Sequence, residues 1–239
     1  MEILEEQIIG ELVAENYKTA SVFKKFKIDF CCNGNRTISE ACEGKNLDPS
    51  QLINELKNTI RSVEQNIDFK SWELDLLVDY IEKTHHRYVV AKIEEIKPFL
   101  NKVVRVHGEH NPELKEIEIL FNQSAQELTQ HMQKEEMVLF PFIKNMVSSK
   151  INKKPLLFQH FGSVENPIAM MKHEHQNEGE RFEKIANLSD NYNPPLHACN
   201  TYRVTFALLK EFEDNLHQHI HLENNILFPK AIEMEKEFH

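Results

Sequence analysis

Two stretches of this 239-residue chain spell nearly the same phrase: HMQKEEMVLFP at 131–141 and HIHLENNILFP at 219–229. Each begins with His, places Glu four residues later, and closes on an aliphatic residue followed by Leu-Phe-Pro. Imidazole nitrogen and carboxylate oxygen are both metal donors, and at i and i+4 of a helix they lie one turn apart on one face. His131 and Glu135 continue the apolar stripe of Leu128, Val138 and Leu139, and His219 and Glu223 that of Phe212, Leu216, Leu222 and Ile226. Both pairs therefore face a core, where a carboxylate is costly unless it is paired or bound to a metal. The closing Pro is expected to stop or bend each helix.

A histidine precedes each phrase at a matched distance: His86 stands 45 residues before His131, and His175 stands 44 before His219. His175 falls on the stripe of Ile168, Met171 and Phe182, whereas periodicity alone does not separate His86 from its neighbour His85. Two such hairpins facing each other would gather four His and two Glu, much as ferritin-like bundles build dinuclear carboxylate sites. If each Glu bridges two ions, the protein supplies about four donors per ion. A six-coordinate ion then keeps room for an oxo or hydroxo bridge and roughly one open position, which favours iron over a closed zinc site. A lone His-x-x-x-Glu is ordinarily a solvated surface pair; the duplication, the shared tail and the matched upstream His argue for a metal. Of the remaining histidines, His107, His110, His160, His197, His217, His221 and His239 read as loop or solvated residues. His85 and His173 are candidates to support the ligand imidazoles from behind.

The elements that must position these residues are helices. Gly is scarce, at 6 residues, and 28% of the chain is charged, a composition suited to helices rather than sheets. Apolar residues recur at helical spacing over roughly 73–104, 113–147, 166–188 and 197–236, predicting an all-α fold with an up-down four-helix bundle over 73–239. Pro98 is expected to kink the first of these helices. Residues 1–58 read as a small helical domain: one helix over 5–25, the irregular stretch DFCCNGN, a short helix capped by Thr37 or Ser39, and a third opened by Asp48-Pro49. Residues 59–72 lose the period and read as a linker.

The formal net charge of −10 argues against a phosphate-binding surface, so nucleic acid is not an expected partner. No apolar run approaches a membrane span or a signal peptide, and a cytoplasmic location is expected by default. Four cysteines, Cys31, Cys32, Cys42 and Cys199, are too few and too uneven for a disulfide framework. A direct bond between the adjacent Cys31 and Cys32 would be strained. A buried packing role and a redox or metal-handoff role both stay open for this pair; the second calls for an exposed, low-pKa thiolate. Cys42 and Cys199 read as structural.

The two phrases, together with DFCCNGNRTISEAC at 29–42, resemble the iron–sulfur cluster repair proteins, also called repair-of-iron-centres di-iron proteins. The resemblance covers nearly the whole chain: a small domain with a Cys-Cys motif, then a hemerythrin-like bundle. It implies a non-haem di-iron centre with an oxo-type bridge, and ligands at His86, His131, Glu135, His175, His219 and Glu223. It selects His86 over His85, and implies acidic residues near the iron or its access path at Glu127 and Glu174. Where members often carry Cys-Cys-Gly-Gly, this chain has Cys31-Cys32-Asn33-Gly34; Asn tolerates a positive φ, so the turn is expected to persist. The oxygen-carrying hemerythrins, which the chain resembles only in architecture, use a fifth His and an HxxxxD motif, and no HxxxxD occurs here, which argues against oxygen transport.

The implied function is the repair of iron–sulfur clusters damaged by nitric oxide or oxidants, with iron donation as one route. Damaged iron–sulfur proteins would be the clients, Cys31 and Cys32 would carry a redox or iron-handoff role, and a homodimer fits the family's habit. A di-iron enzyme reducing nitric oxide or peroxide, and a gas-binding or sensing module, would use the same ligands, so whether the chain turns over a substrate is left open. The cysteine module favours repair, since a simple gas binder does not need it.

Overall fold

The structure, a computed structural model, describes residues 3–60, 67–156 and 160–238. All elements among these residues are helical; the sole strand-like contact is one antiparallel bridge between Ile8 and Thr37. The N-terminal module holds α1 (Ile9–Glu15), α2 (Thr19–Lys25), α3 (Ile38–Glu43) and α4 (Pro49–Ile60). The bundle consists of four rods. The first is α5 (Leu74–Tyr80) continued by α6 (Arg87–His107); the second is α7 (Glu113–Lys134) continued by α8 (Phe140–Asn152). The third is α9 (Glu165–Leu188), and the fourth is α10 (Asn200–Leu222) continued by α11 (Phe228–Lys236). Rods one and two, two and three, and one and four are neighbours, as an up-down-up-down bundle requires. None of these helices is long and apolar enough to cross a membrane.

The helix expected over 5–25 is two helices, because Asn16 breaks it. Its backbone is extended at the end of α1, and its side-chain oxygen accepts from the Lys18 amide at 3.1 Å. Its carbonyl accepts from the Thr19 hydroxyl at 2.8 Å, a local alternative to helical pairing. Of the two candidate caps for the next helix, Thr37 is the one used: its hydroxyl accepts from the Glu40 amide while the Glu40 carboxylate accepts from the Thr37 amide. The expected linker is shorter than 59–72. Its residues 61–66 lie outside the described residues, but α4 runs to Ile60, and Trp72 packs edge-on against Phe69 and against Tyr80 of α5, with Phe69 also against Tyr80. Pro98 sits inside α6, which continues to His107.

The closing prolines do not stop their helices; α8 and α11 run on through Pro141 and Pro229. What precedes each is a π turn, Glu135–Leu139 and Glu223–Leu227, and a third such turn spans Ile81–His86. A proline ring clashes with the carbonyl four residues earlier and offers no N–H. The wider π turn moves that carbonyl away, so the rod survives. Such turns cluster at functional sites, and here all three carry proposed ligands.

The apolar residues form two clusters along the bundle. One joins Ile93, Leu100, Phe121, Leu128, Phe212 and Leu216; the other joins Leu77, Ile81, Phe140, Met171, Ile226 and Phe228. The first cluster also contains Leu12, Phe23, Phe30 and Leu52 of the N-terminal module. The module is therefore seated on the bundle, sharing its core. Gly10 and Gly34 make the close fit: a Cβ on Gly10 would meet Asn225 Oδ1 of the fourth rod at 2.6 Å, and one on Gly34 would meet the same oxygen at 3.2 Å.

At this junction α2 meets α10, and Glu213 is buried there within 3.8 Å of Lys24. Burial, only partly offset by Lys24, pushes its carboxyl up to about 7 from 4.5. Between those two pH values the folded chain holds a proton that the unfolded chain has lost. The contribution is thus fully present below about pH 4.5 and is lost as pH rises through 7. Glu213→Gln is expected to stabilise the fold by about 1–3 kcal/mol at pH 8 and to change it little at pH 4.5, as urea unfolding at the two pH values will check.

Candidate metal centre

The six proposed ligands lie in one layer where the two apolar clusters meet. His86, His131, Glu135, His175, His219 and Glu223 are all buried, the two carboxylates completely. They fall into two sets, His86–His219 and His131–His175, each completed by both Glu135 and Glu223. The Nε2 atoms are 3.2 Å apart in the first pair and 3.0 Å in the second. Two nitrogens bound cis on one octahedral ion at about 2.1 Å would stand about 3.0 Å apart. Glu223 turns one oxygen to each set, Oε1 to His219 at 3.0 Å and Oε2 to His175 at 3.2 Å. Glu135 Oε2 lies 3.4 Å from His86 and 3.3 Å from His131.

The outer ring nitrogens show which way the lone pairs point. His86 Nδ1 donates to Glu136 at 2.7 Å, His131 Nδ1 to Glu174 at 2.9 Å, and His175 Nδ1 to the Asn224 carbonyl oxygen at 2.9 Å. Each bond fixes a neutral ring's proton on the outside and its lone pair on the inside. Lone pairs thus face lone pairs, and no donor satisfies either oxygen of Glu135 or Oε2 of Glu223. Only a cation makes such a constellation favourable. Without a metal that cation is a proton: burial opposes charge on His131, but Glu135 and Glu174 outweigh it and push its pKa up to about 10. Both buried carboxylates stay ionised despite burial, because the neighbouring imidazoles pull their pKa down. A metal must displace these protons to bind. The residues present fit a pair of cations.

The repeated tail now has a physical role. Phe140 stacks on His86, with centroids 5.4 Å apart and planes at 19°, and Phe228 stacks on His175 at 6.0 Å and 4°. Each Leu-Phe-Pro thus supplies the platform for the ligand given by the preceding rod. The residue after each Glu matches as well: Glu136 and Asn224 hold the outer nitrogens of His86 and His175. The two halves differ for a reason. Asn224 has an amide nitrogen to spare, and it donates to the Cys31 carbonyl at 3.0 Å, which a carboxylate could not do. Asn225 likewise donates to the Phe30 carbonyl at 3.0 Å.

The other sequence expectations divide. Glu174 reaches the ligand His131 and pairs with Lys134. Glu127 stands exposed, 2.7 Å from Arg181, and that arginine also pairs with the buried Glu178. His85 is buried and stacks parallel to His219 at 5.6 Å, with its Nδ1 3.1 Å from Asn215, so it supports a ligand by packing rather than by a hydrogen bond. His173 is exposed. His217 and His221 are not solvated: Phe30 packs on both, and Tyr17 lies 5.5 Å from His221. Burial holds both imidazoles neutral, down to about 4 and about 3. His239 lies outside the described residues. Glu136 and Asn224 were missed, because on an unbroken α-helix the residue after Glu leaves the ligand face.

Cys31 is buried and Cys32 half-buried, both as free thiols with sulfurs 3.7 Å apart. The hydrogen bond to Cys32, burial and the Asp29 carboxylate push the Cys31 thiol well above its ordinary value. Without a metal, Cys31 does not present the low-pKa thiolate that redox chemistry would want. Asn33 does not take the positive φ expected of it; its amide instead donates to Asp29 at 2.6 Å. Cys42 is buried, whereas Cys199, read as structural, is exposed, 3.3 Å from His107.

A four-helix bundle with two buried His/Glu sets defines a hemerythrin-type cation-binding domain, and residues 77–231 match the Hemerythrin HHE cation binding domain. Residues 5–59 match ScdA_N, described as a domain of unknown function. The chain is 31% identical over 229 residues to the iron-sulfur cluster repair protein ScdA of Staphylococcus haemolyticus, covering 95% of this chain and 99% of that one. It is 31% identical to the iron-sulfur cluster repair protein YtfE of Musicola paradisiaca and 32% to that of Yersinia pseudotuberculosis, each over 96% of this chain and 98% of the relative. The chain belongs to this family of ScdA- and YtfE-type proteins.

Proposed function

We propose that the bundle holds two iron ions, bridged by Glu135, Glu223 and an oxo or hydroxo group. We propose further that the protein serves the repair of iron–sulfur clusters damaged by nitrosative or oxidative stress, by giving iron to the damaged protein. The observation that carries this reading is the pair of buried sets, each of two His, sharing both carboxylates. Four protein donors per ion leave coordination positions open, as iron chemistry needs and a closed zinc site does not. The near full-length likeness to proteins named for cluster repair supplies the direction. The clients are iron–sulfur proteins that have lost or damaged a cluster.

The test is direct. The purified protein should carry about two irons per chain with an oxo-bridge absorption band, and should restore the cluster of an apo iron–sulfur protein in the presence of sulfide and thiol. Turnover of nitric oxide with a reductant, without any delivery of iron, would replace repair by the enzymatic reading. The two adjacent histidines give a sharper check. His86→Ala should lose iron, while His85→Ala, which removes only a stacked ring, should retain it with affinity reduced about 10–100-fold at most. Iron content of the two variants decides this.

A further inference from the structure

We infer that Asp29, Cys31 and Cys32 form a second, mononuclear metal site, which takes one borderline or soft divalent cation of the ferrous or zinc class. Their donor atoms all lie within 4.8 Å of one another. The two sulfurs are 3.7 Å apart, and Cys31 Sγ is 3.4 Å from Asp29 Oδ1. Two thiolates on one tetrahedral ion, at about 2.3 Å each, would stand about 3.8 Å apart, and a carboxylate oxygen at about 2.0–2.2 Å would stand about 3.5 Å from either sulfur. The observed spacings fit one ion. Binding releases the two thiol protons to solvent and leaves the cation held by two thiolates and one carboxylate.

The loop is built to hold this arrangement. Asp29 Oδ1 accepts the amides of Cys31 and Cys32, both at 3.0 Å, and Asn33 holds Oδ2 at 2.6 Å. These bonds fix the carboxylate before any ion arrives. The site also has an entrance. Asp29, Cys31 and Asn33 line a groove of about 1270 Å³ between the N-terminal module and the bundle, with Lys24, Tyr192 and Asn215 among its other walls.

On its inner side the site is one side chain from the bundle centre. Asn224 joins the Cys31 carbonyl to His175, and Cys32 Sγ lies 3.4 Å from the His175 carbonyl. An ion at the cysteines therefore stands between the groove and the two buried His/Glu sets. That it is a stop on the path of iron leaving the bundle rests on the repair reading; that it binds a cation does not.

The probe is Co²⁺, added without oxygen to the full-length protein with its bundle already filled with iron. Thiolate-to-cobalt charge-transfer absorption reports the cysteine site, and iron content reports the bundle separately. One further Co²⁺ per chain is expected, with that absorption. Cys31→Ser and Cys32→Ser should abolish the absorption, and Cys199→Ser should leave it unchanged. Asp29→Asn keeps an oxygen for the two backbone amides but loses the charge and the bond from Asn33, so it should keep the turn held by those amides and weaken Co²⁺ binding at least about 10-fold. Bundle iron should be the same in all variants, which also shows that they are folded. The inference is overturned if the wild type takes up no more Co²⁺ than the Cys31→Ser/Cys32→Ser double variant. It is equally overturned if the absorption disappears in Cys199→Ser. Failure of the bundle to hold iron at the outset would count against the di-iron reading instead.

Discussion

Glu223→Ala is expected to empty the bundle of iron. Glu223 gives one oxygen to each His pair, so its loss removes a donor from both ions at once. Glu135→Ala should act the same way, since its Oε2 stands between His86 and His131. In each variant iron should fall from about two per chain to well below one. The fold should persist, because hydrophobic burial supplies most of the helices' stability. Removing one buried carboxylate also relieves its repulsion with the other, which opposes the ionisation of Glu135. The iron-free variants should therefore keep the helical circular dichroism of the iron-free parent. Full iron occupancy in either variant would dismiss the assignment of the two bridging residues.

Much of this centre could be read from the chain because a helix keeps ligands and core on one stripe. Leu128, His131 and Glu135 follow each other at one-turn intervals, as do Leu216, His219 and Glu223. The structure shows each of these residues buried. The misses have one cause each. Periodicity assumes an unbroken α-helix, and the π turns re-aim the chain after Glu135 and Glu223; that is why Glu136 and Asn224 were passed over. Periodicity also assumes one buried face. His217 and His221 lie off the bundle stripe of α10, a face that periodicity leaves to solvent, but the N-terminal module covers that second face through Tyr17 and Phe30. Long-range docking of this kind leaves no local signature. The one hint was the two apolar residues Ile28 and Phe30 beside the cysteines, which suit a buried loop better than a free one.

The same docking sets the largest effect on stability. Phe30 is buried, packs on Tyr17, His217 and His221, and its carbonyl accepts from Asn225. Phe30→Ala should cost about 3–5 kcal/mol, the usual range for truncating a buried aromatic ring. Such a loss is comparable with the whole stability of a marginal domain. Deleting the module entirely should do more. The bundle alone would expose the apolar surface now covered by Leu12, Phe23 and Phe30, and would leave Asn224 and Asn225 without the carbonyls they hold. A chain of residues 73–239 retains all six proposed ligands, yet it is expected to unfold at much lower urea than the full protein, or to aggregate. Loss of cluster repair in that truncation would therefore say little about the cysteines. Urea midpoints of the full chain, Phe30→Ala and the truncation, each measured iron-free, will check this. Equal midpoints would mean that the module rests on the bundle without stabilising it.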